Sequence, residues 1–153
     1  MLGDARLTLA RQPQAAFDLL LVDAFSSDAV PTHLLTVEAL RGYLGHLKPD
    51  GLLLLHLSNR NLELVGPALA GARAAGGTAL AQLHRLKPGQ GTGWESDEDA
   101  VIVARSHEAL AAYVATRKWR TADPFKARPW TDDYTNLAGA LYGNLKDRWE
   151  WLP

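Results

Sequence analysis

FDLLLVDAF, residues 17–25, is the stretch that decides the fold class predicted for this sequence. It is a short apolar run that ends in an acidic residue and a polar turn. Its length favours a strand over a helix, and its apolar residues on both alternating faces favour a strand that is buried on both sides. Strands of this kind are typical of parallel sheets covered by helices, so the run predicts an α/β protein.

The segments that follow alternate between helix and strand patterns. Thr36 is a candidate N-cap, the apolar residues after it recur at helical spacing, and Lys48-Pro49-Asp50-Gly51 predicts the end of that helix. The predicted elements are a strand at 17–25, a helix at 36–47, a strand at 52–57, a helix at 61–75, strands at 78–86 and 100–104, a helix from Ser106 to about Lys118, and a last helix at 132–145. This order predicts a mostly parallel sheet with right-handed crossovers and one antiparallel hairpin at the sheet edge.

Composition narrows the class of protein. A length of 153 residues predicts a single domain over residues 1–153, and a net charge of −1 without a basic patch argues against nucleic-acid binding. The absence of cysteine excludes disulfides and thiolate metal ligands, and the five histidines lack metal-site spacing, so we expect no metal. No apolar stretch approaches the roughly 20 residues that span a bilayer, and the N-terminus lacks a signal-peptide core, so we expect a cytoplasmic protein.

The loop from Asp23 to Asp28 is the most informative candidate site. Ligands of parallel α/β sheets bind beyond the carboxyl ends of the strands, and two carboxylates with two hydroxyls between them could hold a cationic amine and take its proton. The alternative is that Asp23 only caps a turn and that Asp28 is solvated. His56, Ser58 and Asn59 follow the next strand, but a histidine within an apolar strand favours a core residue over a catalytic base.

Four segments together resemble the polyamine aminopropyltransferase (spermidine synthase) family, and most closely its bacterial branch in which such a domain is often fused to a membrane-embedded segment. These segments are GDAR at 3–6, FDLLLVDAFSSDAVPTHLLTVEAL at 17–40, LKPDGLLLLHLSNR at 47–60 and WTDDYTNL at 130–137. The resemblance implies the Rossmann-like sheet of S-adenosylmethionine methyltransferases, of which this chain would supply strands four to seven. It implies transfer of an aminopropyl group from decarboxylated S-adenosylmethionine, or use of a related S-adenosyl ligand, with a small-molecule amine as partner.

The resemblance also implies roles for single residues. Asp4, with Ala5 beside it, corresponds to the acid that contacts the adenine of the nucleoside. Asp23 corresponds to the acid that faces the amine and takes its proton, and Asp28 resembles the second acid of that loop. Independently of the resemblance, Ser26 and Ser27 lie between the two acids of the loop and His33 lies near them, so we expect these three residues to bind the substrate.

Two features depart from the family pattern. Asp28 follows Asp23 by five residues instead of the usual three, which puts a diamine such as putrescine in doubt as the substrate. The glycine-rich turn and the acid that grips the ribose would lie upstream of Gly3, so we expect the N-terminal cofactor-binding half to be absent and the fragment to be inactive alone. Leu19 to Val22 would then form an unpaired edge strand, which predicts a homo-oligomer.

Three further patterns have less specific interpretations. The loop Gly89–Gly93 has nucleotide-loop spacing but leads into acidic residues and a strand, which argues against phosphate binding. Asp132 and Asp133 predict a cap for the last helix, and the tryptophans of the tail predict packing onto the domain. The alternatives to an aminopropyltransferase are a non-catalytic oligomeric interaction module and an S-adenosylmethionine-dependent methyltransferase on the same fold.

Overall fold

The computed structural model describes residues 4–25, 30–59, 61–86, 97–120 and 127–149, with side chains up to residue 143 in the last helix. Its helices are α1 (Ala5–Leu9), α2 (Val37–His46), α3 (Val65–Ala74), α4 (Ala111–Ala115) and α5 (Leu137–Trp149). Its strands are β1 (Phe17–Val22), β2 (Leu47–His56), β3 (Thr78–His84) and β4 (Glu98–Ala104). Short 3-10 turns at Thr32–Leu34 and Glu108–Leu110 precede α2 and α4.

The four strands form one sheet in the order β1-β2-β4-β3. β1 and β2 are parallel, whereas β4 runs antiparallel to both of its neighbours, β2 and β3. β3 therefore has the same direction as β1 and β2, and β3 with β4 makes the antiparallel pair at the edge. The partial Rossmann-like sheet with an antiparallel edge pair that the sequence predicts is confirmed. Three of the four described strands run in the same direction, but only the pairing of β1 with β2 is parallel, because β4 lies between β2 and β3.

β2 begins five residues earlier than the sequence predicts, at the residue after the end of α2. The Lys48–Gly51 segment lies inside the strand as an irregularity, because Phe17 pairs with Leu47 and Leu19 already pairs with Leu52. At Gly51 a Cβ atom would lie 2.8 Å from the carbonyl oxygen of Phe17, so the close approach of the two strands requires glycine. The turn-forming residues at 48–51 therefore interrupt the regular pairing within β2 instead of forming a separate loop between α2 and the strand.

Arg105 fastens the junction between α2 and β2. This residue directly follows β4, and its guanidinium donates to the carbonyl oxygens of Leu44 at 2.8 Å, of Gly45 at 3.3 Å and of Leu47. A cation at these carbonyls also suits the negative end of the helix dipole. The amino end of β2 is therefore tied to β4 by side-chain hydrogen bonds as well as by the sheet.

One face of the sheet is covered by α2 and α3 and holds the main core. Leu53 and Leu55 of β2 point into this core and are fully buried, and Leu40 and Leu69 of the two helices pack with them. Trp130, from the segment before α5, is among the largest fully buried side chains. This confirms for Trp130 that the tail packs onto the domain.

The opposite face is covered over only part of its width. Leu80, Ile102 and Leu110 form a small cluster there, which includes the region of α4. On β1 the side chains of Leu19 and Leu21 are 56% and 60% exposed. The prediction that this strand is buried on both sides is therefore wrong, since only its Leu20 and Val22 side packs against the main core.

The ends of the chain differ most from the expected elements. α1 is not predicted by the sequence, and α5 begins at Leu137 instead of residue 132. The side chain of Asn136 accepts a hydrogen bond from the Gly139 backbone at 2.9 Å, so Asn136 takes the capping role expected of Asp132 and Asp133. No helix within the described ranges is long and apolar enough to cross a membrane.

Candidate functional site

Asp23 and His56 lie side by side where two parallel strands end. Val22 of β1 pairs with Leu55 of β2, so the next residue on each strand is also adjacent. His56 Nδ1 is 2.9 Å from Asp23 Oδ1, and the two side chains are 36% and 53% exposed, respectively. Asp23 thus has the strand-end position that the sequence predicts, within reach of a small ligand, while its catalytic role stays a prediction.

Ser58 extends this pair on the side of β4. Its Oγ is 2.9 Å from His56 Nε2 and accepts a hydrogen bond from the backbone N–H of Asp99 at 3.0 Å. The carboxylate of Asp99 is itself paired with Arg85. Three side chains, those of Asp23, His56 and Ser58, therefore form one continuous row at the carboxyl ends of β1 and β2.

Asn59 holds the loop that follows β1. Its Nδ2 donates to the carbonyl oxygen of Phe25 at 2.6 Å, while its Oδ1 accepts from the backbone of Asn61 and Leu62 at 2.9 and 3.0 Å. Phe25 is fully buried in the main core. The path of the chain after Asp23 is therefore fixed from one side by packing and from the other by an amide.

The interpretation of His56 as a core histidine is wrong. β2 turns His56 away from the main core because side chains alternate along a strand, and Leu55 and Leu57 take the buried positions. The sequence contained a usable indication, since His56 and Ser58 are two residues apart and so share one side of an extended chain. Its use requires knowing that β1 and β2 are neighbours in register.

Some predicted site residues cannot be placed. Asp28, Ser26 and Ser27 lie outside the described residues, as does the glycine-rich loop Gly89–Gly93. His33, in contrast, is among the described residues and lies in the 3-10 turn Thr32–Leu34.

Asp4 and His33 are brought together in a second cluster. Asp4 Oδ1 accepts the backbone N–H of Leu7 at 3.1 Å and so caps α1, of which Ala5 is the exposed first residue. Asp4 Oδ2 is 3.2 Å from His33 Nε2. The pKa of Asp4 is lowered, mainly by the Leu7 hydrogen bond, so Asp4 is a carboxylate at neutral pH. Capping is the structural role that Asp4 has in this fold.

Arg6 and Asp132 connect this second cluster to the tail of the chain. Arg6 binds Asp132 through two hydrogen bonds of 2.7 and 2.8 Å, a bidentate geometry that orients both groups. Thr36, which caps α2, donates to the same carboxylate at 2.8 Å. These hydrogen bonds from Arg6 and Thr36 lower the pKa of Asp132 to about 2. Asp132 therefore joins α1, α2 and the tail, and the prediction that it caps the last helix is wrong.

The chemical capacity of the two clusters differs. The first presents a carboxylate backed by an imidazole at strand ends, where a cation can be bound and a proton accepted. The second consists of the Arg6–Asp132 ion pair and the Asp4–His33 contact, which join α1 to the tail and to the 3-10 turn before α2. Among the described residues no group of three or more His, Cys, Asp or Glu side chains could hold a metal ion.

Two solved structures were found to be similar to this chain. A probable spermidine synthase from Corynebacterium glutamicum ATCC 13032 matches with a TM-score of 0.55 and 18% sequence identity, over 90% of this chain and 55% of that one. A candidate DNA modification methylase from Thermus thermophilus, complexed with S-adenosyl-L-methionine, matches with a TM-score of 0.45 and 17% identity, over 85% and 66% of the respective chains. No family model and no curated protein matches the sequence.

The first of these matches supports the fold expected from the resemblance. At this level of identity it shows a shared fold and no more. The chain spans 55% of the length of the probable spermidine synthase, so the aligned part of that protein is about half of it.

Proposed function

We propose that this chain forms the amine-binding side of a spermidine synthase-like aminopropyltransferase. The observation that carries the proposal is the Asp23 carboxylate at the carboxyl end of β1, held at 2.9 Å by His56 and half exposed. A carboxylate in that position can bind an ammonium group and later accept a proton from it. The fold shared with a probable spermidine synthase and the DAFSSD segment support aminopropyl transfer as the reaction.

In the proposed reaction Asp23 orients the amine and removes its surplus proton. The amine nitrogen forms a bond to the aminopropyl carbon of decarboxylated S-adenosylmethionine, and the bond from that carbon to sulfur breaks with its electron pair on sulfur. This attack needs a free lone pair on nitrogen, so the bound ammonium group first passes one proton to the Asp23 carboxylate, and the product leaves as a secondary ammonium. His56 stabilises the carboxylate before this transfer through its hydrogen bond at 2.9 Å.

The nucleoside side of the reaction is supported more weakly by this chain. Both oxygens of Asp4 are already engaged, with the Leu7 backbone and with His33, so contact with adenine would have to share them. The sequence also has no glycine-rich turn that joins a strand to a helix, which is the usual cradle for a dinucleotide or S-adenosyl ligand. We therefore propose that these 153 residues alone bind an amine but transfer no aminopropyl group.

Titration calorimetry with a small panel of diamines and triamines tests the proposal. We expect Asp23→Asn to weaken amine binding by about 10- to 100-fold, as for the loss of one charge-assisted hydrogen bond. Asp18→Asn is the matched control, because Asp18 lies on the same strand, is exposed and pairs only with Lys48 at 2.7 Å among the contacts described.

Equal losses in both variants would contradict the proposal, because they would indicate a general charge effect. Binding of every amine that is unchanged in Asp23→Asn would do the same. A thermal melt of each variant checks that the chain is folded during the titration.

A further inference from the structure

The row of Asp23, His56 and Ser58 continues to a backbone N–H of β4, that of Asp99. Its first member is a backbone N–H, which donates to Ser58 Oγ at 3.0 Å. The next two contacts, from Ser58 Oγ to His56 Nε2 and from His56 Nδ1 to Asp23 Oδ1, are both 2.9 Å long. The contacts are therefore continuous from the β4 backbone to Asp23 Oδ1.

The two ends of the row restrict where its protons lie. At one end the Ser58 oxygen accepts the N–H of Asp99 and keeps one lone pair and its own proton, and at the other end an Asp23 carboxylate can only accept, so it takes the proton of His56 Nδ1. A neutral imidazole that accepts at Nε2 carries its proton at Nδ1, and that proton points at Asp23. In this arrangement Ser58 donates to His56 and His56 donates to Asp23.

We infer that His56 is a positioning residue, fixed by Ser58 as the Nδ1–H tautomer, that orients the Asp23 carboxylate toward the amine. This inference deepens the proposed function and rests on it. An imidazole side chain that is free in water has no fixed orientation. Without the His56 contact, the half-exposed Asp23 side chain would likewise sample several rotamers. Fixing that carboxylate before the amine arrives lowers the entropy lost on binding.

The sheet supplies the rigidity for this row. β2 and β4 are antiparallel with His56 opposite Ala100, and the Leu57 backbone N–H donates to the Asp99 carbonyl at 2.8 Å. The Asp99 amide that donates to Ser58 therefore belongs to a strand of the sheet, which fixes the direction of its N–H. Among the described residues, the ionisable side chains at this row besides His56 include Asp23, which follows β1, and Asp99 on β4, which pairs with Arg85 directly after β3.

The same order of groups activates the nucleophile of serine hydrolases. In this chain the backbone N–H of Asp99 occupies the Ser58 oxygen, which withdraws electron density from the atom that would attack. The exposed end of the row is Asp23. The geometry therefore favours orientation of a carboxylate over activation of Ser58.

Nuclear magnetic resonance of the full chain labelled with ¹⁵N-histidine tests this inference directly. We expect the His56 signals, identified by their loss in His56→Gln, to show a proton on Nδ1 and none on Nε2 at neutral pH. In Ser58→Ala the tautomers should mix, and amine binding should weaken by about 3- to 10-fold, as for the loss of one hydrogen bond. Ser58→Thr keeps the hydroxyl and should restore both properties.

Ser106→Ala is the control, because Ser106 accepts a backbone hydrogen bond from Ala109 near α4 and contacts no member of the row. A proton on Nε2 in the unmodified chain would overturn the inference, as would unchanged tautomers and amine affinity in Ser58→Ala. Labelling of Ser58 by a fluorophosphonate would also overturn it. An Nδ1–H tautomer together with no amine binding would instead refute the proposed function and leave the row of hydrogen bonds correct.

Discussion

β1 and β2 are adjacent and parallel, and their paired segments 19–22 and 52–55 are both entirely apolar, yet they are buried differently. On the same face of the sheet, Leu52 and Leu54 of β2 are partly buried, whereas their partners Leu19 and Leu21 of β1 are more than half exposed. β2 has a strand on each side and helices over one face, while β1 is an edge of the described sheet. The number of neighbours therefore decides burial, and two similar runs of leucine contribute unequally to stability.

The largest expected effect is a difference in stability between the two strands. Leu55→Ala should lower the free energy of unfolding by about 2–5 kcal/mol, because it leaves a cavity in a packed core. Leu21→Ala removes an exposed side chain and should change stability by about 0.5 kcal/mol or less. Chemical denaturation of both variants measures the difference, and equal destabilisation would mean that the outer face of β1 is covered in solution.

The next effect is alkaline destabilisation that originates on the covered face. Tyr43 of α2 is buried, and this burial raises its pKa to about 12 from an ordinary value of 10. The folded state therefore favours the neutral phenol, so this contribution to stability is complete below pH 10 and is lost between about pH 10 and 12. Its size is on the order of 2 kcal/mol.

Tyr43→Phe should remove this part of the pH dependence of unfolding, measured by denaturant titrations at pH 9 and pH 11. Tyr142→Phe is the matched control, since Tyr142 is exposed on α5. A similar change in the two variants would show that burial on the covered face is not the cause.

The smallest expected effect concerns self-association through β1. Two copies related by a two-fold axis could pair their β1 edges antiparallel, which would place identical leucines close together and satisfy the open backbone groups. We expect the unmodified chain to associate at high concentration and Leu21→Lys to lower the association constant several-fold. Sedimentation velocity measures this, with Leu83→Lys on β3, the opposite edge, as the control. A clean monomer at high concentration would contradict the proposal.

Much of the fold could be predicted because local patterns and global architecture agree. The Thr36 cap, the helical spacing after it and the apolar strand runs indicate the same α/β alternation that the structure has. The exposure of β1 cannot be predicted from its own residues, since it depends on which strands and helices lie beside it, and only the resemblance predicts the edge strand at Leu19 to Val22 that the described sheet has. The sequence does not predict the irregularity of β2 at Lys48–Gly51, because proline and glycine indicate a turn in the same way inside and outside a strand.

The candidate site was only half predictable for a related reason. Asp23 follows an apolar run directly, so its strand-end position is visible in the sequence. His56 is 33 residues away, and its contact with Asp23 depends on the parallel register of two strands. The pairing of Arg6 with Asp132 spans 126 residues and leaves no pattern that a single sequence reveals.

The regular pairing of β2 with β1 ahead of His56 has a consequence for how this domain can evolve. β2 pairs residue by residue with β1 from Leu52 to Leu55, directly before His56, so an added or deleted residue there would place the imidazole on the other side of the sheet. During evolution the connecting loops of this domain can become longer or shorter, whereas the segment of β2 directly before His56 has to keep its length.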